Sequence, residues 1–144
     1  MRLLTLTLLS FCTFLASPFA LAQGSTDHTV YIVYGNAQQF EDTSASVDTL
    51  VCGSVLAAAG YDTIGEIPGN LAAFINVTTA TEPPGLCNRC VVLSWQGREV
   101  TVRIVDDSTE GGFQLTGPVY KQLIGSEVVP GIYQAQISEG PYDC

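Results

Sequence analysis

The most regular stretch of the chain is CVVLSWQGREVTVRIV, residues 90–105. Its two halves, 90–95 and 100–105, are rich in β-branched residues, which favour strands. The polar residues between them, 96–99, include a glycine and are typical of a hairpin turn. The stretch therefore predicts a β-hairpin and indicates a β-rich fold.

Further strands are predicted on both sides of this hairpin. The segments 29–34 and 73–77 are β-branched, aromatic or apolar, and 132–137 alternates apolar and polar residues. The alanine-rich segment 54–59 predicts a helical turn that ends at Gly60, a residue that tolerates a left-handed conformation.

A second short helix is predicted over 119–124. Thr116 is a suitable cap, Pro118 suits the first turn and Gly125 ends the helix. The remaining segments are expected to be loops: 36–47, 61–70, 78–85 and the acidic segment 106–112. Because no repeat interrupts this order, we expect one small β-rich barrel with one or two short helices.

The N-terminal segment has the layout of a secretory signal peptide. Arg2 precedes an apolar run over 3–15, and Ala20-Leu21-Ala22 precedes Gln23. The run is too short to span a bilayer. We therefore expect residues 1–22 to be removed and residues 23–144 to form one exported domain, since about 120 residues make a single domain.

The charge of the chain excludes several partners. It has 14 acidic and 5 basic residues and a net charge of −9, which becomes −10 when Arg2 leaves with the signal peptide. Because such a small number of cations cannot neutralise a series of phosphates, we do not expect nucleic acid as a partner. No second apolar run is long enough for a membrane span, and one small domain leaves no room for a dinucleotide-binding domain plus a substrate domain. We expect no cofactor and no membrane partner.

Four cysteines remain in the mature chain, because Cys12 leaves with the signal peptide: Cys52, Cys87, Cys90 and Cys144. In an oxidising compartment this even number predicts two disulfides, with three connectivities compatible with the spacing. A redox role for the C-x-x-C at 87–90 is not favoured, because no βαβ pattern surrounds it. Zinc is not favoured either, since the single histidine lies far away.

An ordered set of landmarks runs along the mature chain. They are GYDTIGEIP at 60–68, the C-x-x-C at 87–90, LSWQG at 93–97, Val105-Asp106, GGF at 111–113, YKQLIG at 120–125 and the terminal Cys144. On these residues the sequence resembles the cerato-platanin family, small secreted fungal proteins with a double-psi β-barrel related to barwin and to the first domain of expansins. Two departures mark a divergent member. Tyr34-Gly35 stands where the family has Tyr-Asp, and Asn88-Arg89 stands between the two cysteines of the C-x-x-C, where the family usually has Gly-Thr.

The resemblance implies a mainly β fold, a six-stranded double-psi β-barrel with one or two short helices and two disulfides. It also implies the pairing, Cys52 with Cys87 and Cys90 with Cys144. The implied partners are cell-wall polysaccharides or chitin-type N-acetylglucosamine oligomers, and a host plant receptor that perceives the protein as an elicitor.

The candidate site residues follow from the chemistry of sugars. Hydrolysis of a glycosidic bond normally needs two carboxylates. Asp106 matches the first acid of the hydrolytic relatives, but Gln114 stands where they have the second, and an amide cannot deliver a proton. Asp106 and Gln114 suit hydrogen bonding to sugars, while Tyr34, Tyr61 or Phe113 offers a flat face to a pyranose ring. For Asp106, a structural role is as well supported as a binding role. For Phe113, a core position is better supported than a role as a platform for a sugar ring.

The acidic loop 106–110 does not match a calcium-binding EF-hand, and we expect no metal. Asn76-Val77-Thr78 is a glycosylation sequon.

The leading hypothesis is a secreted, non-catalytic protein that binds wall glycans and loosens polysaccharide networks as expansins do. The alternatives are a barwin-like glycoside hydrolase, which needs a second acid within about 10 Å of Asp106, and a surface-active, self-assembling coat protein.

Overall fold

The structure is a computed structural model, and it describes residues 28–34, 37–75 and 85–144. The predicted signal peptide at 1–22, the start of the mature domain and the sequon at Asn76 lie outside the described residues. The same is true of the end of the predicted strand 73–77 and of most of the predicted loop 78–85.

Six strands form a closed barrel. They are β1 (His28–Tyr34), β2 (Asn70–Phe74), β3 (Arg89–Trp95), β4 (Arg98–Asp107), β5 (Phe113–Leu115) and β6 (Ile132–Asp143). Around the barrel their order is β1-β5-β2-β4-β3-β6. The pairs β1–β5 and β2–β4 are parallel, and the other four pairs are antiparallel. This confirms the predicted fold class, a mainly β, six-stranded barrel of the double-psi type.

Two short α-helices accompany the barrel, α1 (Gly53–Ala58) and α2 (Gly117–Ile124), as predicted. Helix α2 has proline in its first turn and ends at Gly125, whose φ of 107° suits glycine. Thr116 occupies the predicted N-cap position, although its side chain makes no capping hydrogen bond. Three 3₁₀ helices complete the described elements: Ala37–Phe40, Val47–Thr49 and Ile64–Glu66.

Several boundaries differ from the sequence-based expectation. The segment 36–47 is not simply a loop, because Ala37–Phe40 is a 3₁₀ helix. Strand β2 begins three residues before the predicted start, at Asn70, and β6 continues to Asp143. Asp106 and Asp107 end β4 instead of opening a loop. Near the start of β2 and at the end of β4, glycine and acidic residues favour loops locally, but pairing with neighbouring strands outweighs this preference.

Strand β5 was not predicted. It is only three residues long and follows two glycines, so no local pattern distinguishes it. It forms because it adds to β1 in parallel and to β2 in antiparallel orientation. Those partners lie far away in sequence, and they close the barrel through β5.

The core fills the barrel with aliphatic side chains from every strand. The residues that are least exposed include Ile32, Leu93, Val102, Ile104 and Leu115, each with at most 1% of its surface accessible. On the outside, α2 buries Tyr120, Leu123 and Ile124. At about 25 cal/mol per Å², burial of these apolar surfaces is the main stabilising contribution.

Two disulfides link distant segments. Cys52 at the start of α1 is joined to Cys87, and Cys90 in β3 is joined to the terminal Cys144. This is the pairing that the family resemblance implies, and two such bridges in a small domain fit an extracellular protein. Among the described residues, no helix has the length and apolar character needed to cross a membrane.

Candidate functional site

Asp106 lies at the end of β4, where its carboxylate is almost buried, with 9% of the residue exposed. One oxygen, Oδ1, accepts a hydrogen bond from the backbone N–H of Val51 at 2.9 Å. The other, Oδ2, accepts one from the side-chain amide of Gln39 at 3.0 Å. Asp106 therefore joins the 3₁₀ helix Ala37–Phe40 and the segment before α1 to the barrel, which gives it a structural role.

Gln114 reaches the same region through β5. Its backbone pairs with Ala73 of β2, and Ala73 in turn pairs with Asp106 of β4 across an irregularity in the β2–β4 pairing. Neighbouring strands lie about 4.8 Å apart, so Asp106 and Gln114 flank Ala73 in one row. Ala73 is fully buried and Gln114 is only 5% exposed, so this row lies mostly below the surface.

A groove of about 470 Å³ opens beside this row. The described residues that line it are Gln39, Val51, Asp106, Asp107, Thr109, Glu110 and Gln114. Three of them are carboxylates and none is a cation, so the groove is negatively charged. The structure thus brings Asp106 and Gln114 together, as the sequence analysis proposed.

Glycine allows the chain to return into this groove after the acidic segment. Gly111 and Gly112 both have positive φ, 75° and 99°. A Cβ atom on Gly112 would lie 2.3 Å from the backbone oxygen of Tyr31, far inside contact distance. Only glycine fits there, and this close approach sets β5 against β1.

Phe113 is a core residue and not a platform for a sugar ring. It is 1% exposed, and its ring packs on Phe74 with 4.3 Å between the ring centroids. Because successive residues of a strand face opposite sides, β5 directs Phe113 away from the side that Gln114 occupies. The proposed binding role of Phe113 is therefore wrong.

The two tyrosines are not among the described residues that line the groove. Tyr61 is half-buried against the core, and the guanidinium of Arg103 lies 5.8 Å from its ring centroid. This position explains Tyr61 as a packing residue. Tyr34 ends β1, where its backbone pairs with Leu115, and its side chain lies outside the described part of the structure.

Three groove residues were missed by sequence reasoning: Gln39, Val51 and Thr109. Gln39 lies in a segment expected to be a loop, and Val51 precedes α1. Val51 is 46% exposed, so it presents an apolar surface to the groove. No motif marks these residues: long-range bonds to Asp106 bring Gln39 and Val51 here, and Thr109 lies in the segment that follows Asp106.

The chemistry of the groove suits binding better than proton transfer. Both oxygens of Asp106 already accept N–H bonds, so its carboxylate is held against the protein. Thr109 and Glu110 are exposed and free to meet a ligand. Within the described residues, no group of three or more His, Cys, Asp or Glu side chains is arranged to hold a metal ion.

Solved structures with similar folds include several cerato-platanins. Cerato-platanin 3 from M. perniciosa matches with a TM-score of 0.61 and 22% identity, over 75% of this chain and 90% of that chain. Cerato-platanin 2 from M. perniciosa matches with 0.59 and 21%, over 76% and 91%. This chain has a cerato-platanin-like fold. The solution structure of the fungal elicitor cerato-platanin matches with 0.54 and 22%, over 75% and 92%.

The likeness to cerato-platanins is one of fold at low sequence identity, as expected for a divergent member. No family model matches the sequence, and no curated protein gives a significant match. Within the cerato-platanin-like barrel, the groove lies where β4 ends and β5 begins.

Proposed function

We propose that this is a secreted, non-catalytic protein of the cerato-platanin type that binds cell-wall oligosaccharides in the groove beside Asp106 and Gln114. The observation that carries the proposal is that Asp106 and Gln114, which flank Ala73 in the sheet, line the same open groove. We infer that N-acetylglucosamine oligomers of the chitin type are the ligands.

The accessible groups of the groove complement such a sugar. Glu110 accepts hydrogen bonds from hydroxyls or from an acetamide N–H, and the hydroxyl of Thr109 donates or accepts. The exposed surface of Val51 offers an apolar contact for a pyranose face. Because no described lining residue is a cation, a neutral glycan fits the groove and an acidic polymer does not.

The non-catalytic assignment rests on two residues. A glycosidase needs a protonated and a charged carboxyl group on either side of the bond. Gln114 cannot supply the proton, and Asp106 is engaged by Gln39 and by Val51. The groove therefore holds a sugar without the pair of groups that cleaves it.

Calorimetric titration of N-acetylglucosamine hexamer tests the binding site. Glu110→Gln keeps the shape of an exposed side chain but removes its charge, and we expect binding to weaken roughly fivefold, about 1 kcal/mol. Glu99→Gln is the matched control, because Glu99 is also exposed but lies outside the groove. Equal affinity in both variants, or no saturable binding to the wild-type protein, would overturn the proposed site.

A hydrolase is the second candidate, because Asp107 and Glu110 line the same groove as Asp106. It predicts steady release of reducing sugar from chitin, cellulose or peptidoglycan, with loss of that release in Asp106→Asn. Our proposal predicts no release above a blank. Steady turnover would make the hydrolase the correct function.

The proposal extends to wall loosening and to perception by a plant. Binding without cleavage can displace glycan chains from one another, as expansin-like proteins do. One structural neighbour, cerato-platanin, is a fungal elicitor. We expect the purified protein to increase extension of isolated plant walls under load and to trigger defence responses in leaves, each compared with a heat-denatured sample.

A further inference from the structure

A second groove lies on the side of the barrel formed by β1, β3 and β6. Its volume is about 370 Å³, and the described residues that line it are Thr29, Ser94, Trp95, Gln96, Gln134, Ala135 and Gln136. It shares no lining residue with the groove beside Asp106. The proposed function therefore does not account for it.

The strand register arranges the polar side chains in rows. Gln136 of β6 lies opposite Thr29 of β1 on one side and opposite Ser94 of β3 on the other. Two residues earlier on the same face, Gln134 lies opposite Tyr31 and donates from its side-chain amide to the tyrosine hydroxyl at 3.5 Å. With about 4.8 Å between strands, the row of three spans roughly 10 Å, which suits about two sugar units.

The lining side chains are uncharged, although the whole chain carries a net charge of −9. Glutamine amides and threonine or serine hydroxyls both donate and accept hydrogen bonds. Thr29, Gln96, Gln134 and Gln136 are exposed. A ligand that fits this surface is neutral and rich in hydroxyl groups.

Trp95 and Gln96 form one rim of the groove. The indole of Trp95 is half-buried and packs edge-on against Tyr133, with 5.7 Å between the ring centroids. Gln96 follows in the hairpin turn with a φ of 47°, a left-handed conformation that favours glycine or asparagine. A long amide side chain at a strained turn position is more easily explained by a contact than by the turn itself.

We propose that this second groove is a binding site for a neutral glycan, such as a β-linked hexose oligomer. Protein interfaces usually have an apolar core, whereas the exposed side chains here are amides and hydroxyls. Two separate glycan sites on one barrel would hold two chains or two segments of one polymer. Such bivalent attachment raises avidity without any new contact.

Tryptophan fluorescence tests the proposal directly, because Trp95 is the single tryptophan of the chain. Cellohexaose and N-acetylglucosamine hexamer are titrated separately, with polygalacturonate as the charged comparison. We expect a saturable change with at least one neutral oligomer and none with the polyanion. The double variant Gln134→Ala/Gln136→Ala should weaken this binding by about tenfold or more, since two hydrogen-bonding amides are lost.

Two further variants separate this site from the groove beside Asp106. Gln122→Ala removes an exposed glutamine of α2 outside both grooves, and it should leave the titration unchanged. Glu110→Gln should leave it unchanged as well, even if the first groove binds no sugar at all. A lack of any fluorescence change with neutral oligomers, or an unaltered curve in the double variant, would overturn the second site.

Discussion

At the scale of single residues, Asp106 does two things. Its carboxylate accepts bonds from Gln39 and from the N–H of Val51, and it also forms part of the groove wall. If Asp106 had a binding role only, its replacement by alanine would leave the thermal midpoint unchanged. The structure indicates that stability and binding change together.

We therefore expect Asp106→Ala to lower the free energy of unfolding by about 1–3 kcal/mol, because the N–H of Val51 and the side-chain amide of Gln39 both lose their acceptor. Urea denaturation followed by circular dichroism measures this. Glu99→Ala, at an exposed position of β4, should change it by less than about 0.5 kcal/mol. Equal stability of Asp106→Ala and wild type would disprove the structural role.

Glu66 links stability to pH. Its Oε2 accepts the backbone N–H bonds of Asp62 at 2.7 Å and Thr63 at 3.1 Å. These bonds lower the pKa of Glu66 below its usual range, and the bond from Asp62 has the larger effect. A carboxyl with a lowered pKa in the folded state stabilises the fold above its unfolded pKa, and this contribution is lost as the pH falls through the folded value.

Glu66→Gln should therefore reduce stability at pH 7 and reduce the loss of stability on acidification. The urea midpoint measured from pH 7 down to pH 3 checks this. Asp42 contributes in the same direction, since bonds from Ser44 lower its pKa. A midpoint whose pH dependence is identical in wild type and Glu66→Gln would contradict the prediction.

At the scale of elements, the β3–β4 hairpin is a strong local structure with a strained turn. Gln96 and Gly97 have positive φ values of 47° and 79°, as expected for a two-residue turn of the mirror-image type. Glycine adopts this conformation readily, whereas glutamine adopts it at a cost in free energy. The turn is therefore a place where stability and binding can oppose each other.

Gln96→Asn should raise the stability by roughly 0.5–1 kcal/mol, because asparagine adopts the left-handed conformation more readily. The same change shortens the side chain and should weaken glycan binding in the second groove. Thermal melts and the Trp95 fluorescence titration measure the two effects. A variant that is less stable than wild type, or binds more tightly, would contradict this interpretation of the turn.

Local sequence patterns predicted some of the helices and strands and missed others. The hairpin and both helices were predicted close to their observed bounds, because their hydrogen bonds are local and their end residues are characteristic. Strand β5 and the early start of β2 were missed. Each depends on pairing with strands that are distant in sequence, which a short window cannot show.

At the scale of the whole molecule, the disulfides tie the chain together. Cys52 and Cys87 are 35 residues apart, and Cys90 and Cys144 are 54 apart. In the chain-entropy model, loops of these lengths are worth roughly 4 kcal/mol each. That is a large part of the total stability expected for a small domain, about 5–15 kcal/mol.

Peptide mapping without reduction should recover Cys52 linked to Cys87 and Cys90 linked to Cys144. Removing one bridge through Cys90→Ser/Cys144→Ser should lower the urea midpoint strongly, and Cys52→Ser/Cys87→Ser should have a similar effect because the loop lengths are comparable. A bridge between Cys87 and Cys90 would contradict the pairing and return attention to redox chemistry.

The sequence by itself determined the β-rich class, the central hairpin, the two helices and the strong negative charge, because each follows from composition or from contacts between near neighbours. Its motifs supported the cerato-platanin resemblance, and with it the disulfide pairing and the interest in Asp106 and Gln114. Only the tertiary structure placed those two side chains around Ala73, buried Phe113 and brought Gln39 and Val51 to Asp106. The second groove likewise exists only where β1, β6 and β3 are in register. The physical reason is that strand register and barrel closure join residues that are far apart in the chain, and the free energy of those contacts arises only once the whole barrel has formed.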